Sequence, residues 1–271
     1  MANKKYEEAD VQAIAVAIRE KTGSEDTYNV SEMASGVNEV YEAGKKVGQI
    51  DFVNMLSNDG VRGMYRYVFE GADFSGYTFN PVIYPTRVGS VFYNYTGVEF
   101  PKGVDFSKAN IAESVTDTAL IPYNTFAYCR NQERIPDMNI PVQYRYTNTY
   151  TNCYVKKIDI IRVAETTLFS STFSGCNYLE DVTFEGIIGR NISFSASPLT
   201  LDCMKHIITH LKDYTGVTDD GGTSLEHTYT LTLKTSCKTA LTDEGATAEH
   251  NGESCTWIEL IDNKKWNLVW A

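Results

Sequence analysis

Cys203, His206 and His210 stand at i, i+3 and i+7, a spacing that lines a thiol and two imidazoles along one side of a helix. That set could serve zinc. The plainer reading places Cys203 in a buried stripe with both histidines beside it in solvent. It is the stronger one, because no fourth ligand and no glutamate of an HExxH motif accompanies them. Asp219-Asp220-Gly221-Gly222 offers loop carboxylates to calcium. Its aspartates do not alternate and no glutamate closes the loop at EF-hand distance, so an acidic turn is expected. The chain has no Gly-x-Ser-x-Gly elbow, no Walker loop and no Gly-x-Gly-x-x-Gly. Its six cysteines form no CxxC pair, and three of them recur at a repeat position, which marks packing rather than nucleophilic chemistry. The expectation is therefore a non-enzyme, with no catalytic residue, no cofactor and no resident metal.

The chemistry that remains is recognition. Tyrosine is abundant, at 18 residues, and concentrates in Val91-Phe-Tyr-Asn-Tyr-Thr96 and in Tyr144-Arg-Tyr-Thr-Asn-Thr-Tyr-Thr-Asn-Cys-Tyr154. Tyr, Asn and Thr in strand alternation make flat, hydrogen-bonding faces suited to glycans or protein partners. Tyr93, Tyr95, Tyr144, Arg145 and Tyr146 are the candidate recognition residues. Alternation sends Tyr144 and Tyr146 one way and Arg145 the other. The competing reading makes alternate tyrosines core, since strand propensity alone favours Tyr and Thr.

The net charge of −11 argues against general nucleic-acid binding, which needs a basic footprint. No stretch approaches the roughly 20 apolar residues of a membrane helix, so no membrane insertion is expected. The polar start, Met1 to Asp10, lacks the apolar segment of a secretory signal. The expectation is a protein that stays in the cell that makes it or leaves by lysis or assembly.

These residues need elements to position them. Residues 1–50 read as two helices, the first with Val11, Ile14 and Ile18 on one side, the second with Met33, Val37, Val40 and Tyr41. They form a candidate attachment and oligomerisation segment. From residue 51 to about 195, short runs of Val, Ile, Phe, Tyr and Thr alternate with turn residues. An internal repeat lies within: Phe126-Ala-Tyr-Cys129, Tyr150-Thr-Asn-Cys153 and Phe173-Ser-Gly-Cys176. Coils of about 23 residues that cannot bury an apolar face alone must stack. Residues 196–271 read as a helix opened by Ser197-Pro198, a strand over 228–234, and a terminal hairpin between Trp257 and Trp270. The fold class expected is α+β and strand-rich: a leucine-rich-repeat-like solenoid with an N-terminal helical pair and a C-terminal helix-plus-hairpin cap.

Two resemblances bear on this reading. Thr172-Phe-Ser-Gly-Cys-Asn-Tyr-Leu-Glu-Asp-Val-Thr-Phe184 resembles the BspA-like class of leucine-rich repeat, with Gln132 departing from the pattern where the third unit has Leu179. Separately, Asp10-Val-Gln-Ala-Ile-Ala-Val-Ala-Ile-Arg-Glu-Lys-Thr-Gly-Ser24, followed by Val30-Ser-Glu-Met-Ala34, resembles the N-terminal segment of tail-associated proteins of phages and prophages of gut Firmicutes. Such proteins often end in a Trp-containing strand, here Lys264-Lys-Trp-Asn-Leu268. The resemblances imply a virion structural protein, homo-oligomeric, joined to other virion proteins through residues 1–50 and binding a host-surface glycan or protein. The repeat class fits a bacterial surface adhesin equally well, and a glycan-cleaving tail enzyme is a third, weaker reading.

Overall fold

The repeated aromatic-x-x-Cys segment folds as a turn. The structure, a computed structural model, describes residues 91–95, 100, 105–107, 123–245 and 247–271. The helical pair and attachment segment expected in residues 1–50 lie outside the described residues. In each described copy the cysteine amide donates to the carbonyl of the aromatic residue three back: Cys129 to Phe126 (3.3 Å), Cys153 to Tyr150 (3.0 Å) and Cys176 to Phe173 (3.2 Å). Tyr95 repeats the bond to Phe92 (3.2 Å). The turn needs a left-handed residue directly before the cysteine position, filled by Asn94, Tyr128, Asn152 and Gly175. A second lies two residues before the aromatic, at Asn124, Asn148 and Ser171. Asn and Gly enter that region at low cost, which explains why asparagine recurs there.

Successive turns stack in parallel. The amides of Asn124, Phe126 and Tyr128 donate to the carbonyls of Thr147, Thr149 and Thr151. Those of Asn148, Tyr150 and Asn152 donate to Ser170, Thr172 and Ser174. The rings are thereby superposed: Phe92, Phe126, Tyr150, Phe173 and Phe194 follow one another at centroid distances of 5.7, 5.4, 5.6 and 4.6 Å. Each such contact adds about 1 kcal/mol to the burial of the rings themselves. Cys129, Cys153 and Cys176 are buried free thiols beside this column. The Cys129 and Cys176 thiols donate to the carbonyls of Phe92 and Tyr150 in the preceding turns. Burial pushes the Cys153 and Cys176 pKa values well up, so both stay protonated.

Between the turns lie short strands: β1 (Arg134–Ile135), β2 (Arg145–Thr147), β3 (Lys157–Val163), β4 (Leu168–Ser170), β5 (Asp181–Gly186) and β6 (Ile192–Phe194). Helix α1 (Leu201–His210), β7 (Thr230–Leu233), a 3-10 turn (Thr235–Cys237), α2 (Lys238–Asp243), β8 (Ala248–His250), β9 (Glu253–Cys255), α3 (Trp257–Asn263) and β10 (Asn267–Trp270) follow. β1, β3 and β5 form one parallel sheet, with Ile135, Ile158 and Val182 as its buried row. β2 pairs with β4 in parallel, β6 and β10 flank β7 in parallel, and β8 and β9 make an antiparallel hairpin.

The expected leucine-rich-repeat-like solenoid is corrected by this arrangement. No continuous sheet runs through the described residues. Among the described residues, strands of two to seven residues fall into four small sheets, with three α-helices beside them. The physical reason is that the repeated residues specify a turn and its left-handed positions. The apolar runs between turns are too short and degenerate to sustain one sheet, and the β3–β5 register itself shifts between Ile158 and Ile161.

The expected terminal hairpin is corrected too. Trp257–Asn263 is helix α3, and β10 runs parallel to β7 rather than turning back on a neighbour. The helix start is written in the sequence as a capping box. Thr256 Oγ1 accepts from the Glu259 amide (3.2 Å), and Glu259 Oε2 accepts from the Thr256 amide (2.8 Å). The hairpin sits earlier, at β8–β9, where Asn251-Gly252 supplies two left-handed residues. Helix α1 opens at Leu201 behind the N-cap Thr200, not at Pro198. Ser197 is buried instead, its hydroxyl donating to the Cys176 carbonyl (3.1 Å).

Candidate functional site

The turn that buries each cysteine sends neighbouring side chains outward. Tyr154 follows Cys153, Arg130 follows Cys129, and Tyr178 lies two residues past Cys176. The Tyr154 and Tyr178 rings stack at 5.5 Å with planes 29° apart. They are 46% and 52% exposed, so these large rings stand in solvent although a core was available. The Arg130 guanidinium lies 5.3 Å from the Tyr154 ring centre, a cation–π contact, and has no ion-pair partner among the described residues. Tyr93 and Tyr128 form a second, half-buried pair, edge to face at 5.6 Å.

Of the five residues expected to form the recognition face, Tyr95 and Tyr146 are corrected to core. Both are fully buried. The Tyr146 hydroxyl donates to the Arg162 carbonyl (3.0 Å), and burial raises its pKa. The ring stacks on Phe169 at 6.2 Å across the β2–β4 pair. Tyr144 and Arg145 are half-buried, and Arg145 Nε is buried without a hydrogen-bond partner among the described residues. Tyr93 packs against Tyr128. The reasons differ: Tyr95 takes the inward cysteine position of its turn, and Tyr146 is the buried centre of strand β2. The outward tyrosines, 154 and 178, lie one and two residues past repeat cysteines, a place the sequence marks without saying which way a side chain there points.

The Cys203–His206–His210 set does structural work. Both Cys203 and His206 cover the free edge of β5: the Val182 amide points at Cys203 Sγ (3.3 Å) and the Phe184 amide donates to His206 Nε2 (2.8 Å). The imidazole lone pair that would bind a metal is thus occupied. Side chains at i and i+3 of α1 block a strand edge that would otherwise be open to pairing. Asp219 Oδ1 accepts from the Gly221 and Thr223 amides (2.9 and 2.8 Å) and so builds its own turn. The inter-turn charges are likewise paired: Arg162 grips Asp137 with two bonds (2.8 and 2.7 Å) and reaches Glu185, which holds the Asp137 carboxyl below its usual range.

No protein-family model, curated protein or solved structure matches this chain. The reading of function rests on its own residues.

The His206 lock carries a pH dependence of definite sign. Accepting the Phe184 amide requires neutral imidazole, and burial, then the neighbouring His210, lowers the His206 pKa below 6.5. The unfolded chain therefore takes up a proton before the folded one does. Stability is full above pH 6.5 and falls as pH drops from there through the folded pKa. Melting temperatures measured between pH 7.5 and 5 should show this fall, and it should shrink in His206→Gln, whose amide oxygen can still accept. An identical slope in the variant would assign the pH effect to other groups.

Proposed function

We propose that this chain is a non-enzymatic, tail-associated structural protein of a phage or prophage whose stacked turns carry a surface for binding host-surface glycan or protein. The observation that carries the reading is the exposed Tyr154–Tyr178 stack with Arg130 beside it. Two rings held by parallel turns lose little further conformational freedom on binding. They offer an apolar face to sugar C–H groups or to a protein side chain, with phenol hydroxyls and a guanidinium at the edge. Binding hot spots favour Tyr and Arg. The placement in a virion rests on the resemblance of residues 10–24 and 30–34 to phage tail-associated proteins, and attachment through residues 1–50 belongs to the same reading.

The test compares exposed with buried tyrosines. Tyr154→Ala and Tyr178→Ala should each weaken adsorption to host cells by about tenfold, the loss of one aromatic anchor, with melting temperature unchanged. Tyr146→Ala should instead lower stability by about 3 kcal/mol. Undiminished adsorption by the Tyr154/Tyr178 double variant would end the assignment of this surface.

A further inference from the structure

Three backbone segments end side by side in parallel: β3 at Val163, β5 at Gly186, and the stretch where Leu211 bridges Ile188. The residues just beyond each end, Glu165, Arg190, Lys212 and Tyr214, line one cleft of about 470 Å³. The Asp219–Asp220 turn and Tyr229 are also part of its lining. Loops beyond the carboxyl ends of parallel strands are where side chains from separate segments converge on a ligand. The convergence depends on Gly189, where a Cβ would stand 2.2 Å from the Glu165 carbonyl oxygen. Only glycine lets the chain pass there and deliver Arg190 into the cleft.

Arg190 is held in place. Its guanidinium lies 4.9 Å from the Tyr229 ring centre, and Nη1 donates to the Gly189 carbonyl (2.9 Å) and to the Tyr214 hydroxyl (3.4 Å). That hydroxyl donates in turn to the Gly189 carbonyl (2.5 Å). Arg190 has no carboxylate partner among the described residues, whereas the other cation of the cleft, Lys212, is paired with Glu165. With Nη1 engaged by those two acceptors, the Nε and Nη2 N–H groups are left as a fork whose geometry matches a planar carboxylate.

The same cleft carries carboxylates of its own. Asp219 spends one oxygen on its turn, and Asp220 is exposed. They repel a compact, multiply charged oxyanion but accept hydrogen bonds from hydroxyls. We propose that this cleft binds a carboxylate-bearing saccharide, with the carboxylate on Arg190 and ring hydroxyls on Asp219 and Asp220. The site shares no residue with the Arg130–Tyr154–Tyr178 surface, and its test does not depend on that surface being correct.

The experiment is a calorimetric titration of the full chain with glucuronate, galacturonate and N-acetylneuraminate, with glucose and inorganic phosphate as controls. At least one sugar acid should bind saturably, with glucose and phosphate about tenfold weaker or more. Arg190→Gln should weaken the sugar acid by about tenfold, the worth of one charge-assisted pair, while Tyr154→Ala leaves it unchanged. If Arg190→Gln is unstable, amide shifts of the wild-type chain decide: perturbations should centre on residues 189–191 and 212–220. The proposal is overturned by no saturable binding of any sugar acid, by phosphate binding as tightly, by unchanged affinity in a folded Arg190→Gln, or by shifts centred elsewhere.

Discussion

Replacing Gly186 with alanine is expected to cost about 3 kcal/mol or more. Gly186 ends β5 at φ +106°, a conformation that L side chains rarely adopt. A Cβ there would lie 1.9 Å from the Val163 carbonyl oxygen and 3.1 Å from its carbonyl carbon. Both obstacles are backbone, and Val163 is the register partner of Gly186 in the β3–β5 pair. Relief therefore requires the strands to part at the end where they enter the cleft. Gly175→Ala is the informative comparison. Its φ is +70°, and the obstacle to its Cβ is the Asn152 side-chain oxygen at 2.1 Å. That oxygen can rotate away, so the cost should be smaller, about 1–2 kcal/mol. Urea denaturation of the two variants gives the order directly. A Gly186→Ala chain as stable as the wild type would mean that the Val163–Gly186 register is wrong.

Lys264→Met is expected to cost about 2–3 kcal/mol. The last carbonyls of a helix have no intrahelical donors. At the end of α1 the Lys264 ammonium supplies them, donating to Ile208 (3.0 Å), Thr209 (2.8 Å) and Leu211 (2.9 Å). A cation at that end also meets the negative pole of the helix. Burial lowers the Lys264 pKa, partly opposed by Asp213, so the charge is held at a desolvation cost that three acceptors offset. Methionine keeps the stem and removes all three donors. Next to it, Trp266 is buried and its indole N–H donates to the Lys212 carbonyl (2.7 Å), so the same short segment docks β10 and closes α1. Lys265→Met serves as control and should stay within about 0.5 kcal/mol, because the Lys265 ammonium makes no hydrogen bond to α1 among the described residues. Equal melting temperatures for Lys264→Met and wild type would show that water replaces the ammonium.

Local chemistry made several features legible. Helix α1 was readable from the stripe Cys203, Met204, Ile207 and Ile208, because burial at helical spacing is a property of neighbouring residues. The strand within 228–234 was readable from strict alternation, and Leu231 and Leu233 are its buried face. The repeat spacing located the turns. Helix α3 is hidden in the sequence because Trp257 and Ile258 carry strand propensity. The capping box Thr256–Glu259 and packing of Leu260 and Ile261 outweighed it.

The sequence by itself determined the positions of the turns, the inward thiols and the amphipathic stripe of α1, since each depends on contacts within a few residues or on one residue's backbone preference. Tertiary structure alone decided which tyrosines face out. Tyr146 and Tyr154 have the same chemistry and similar neighbours, and only the stacking of turns 23 and 24 residues apart buries one and exposes the other. It also decided that His206 meets the Phe184 amide and that Arg190 stands on Tyr229 without a carboxylate. Those juxtapositions join residues 22 and 39 positions apart, and no periodicity encodes them, because they arise from where short strands end rather than from how they repeat.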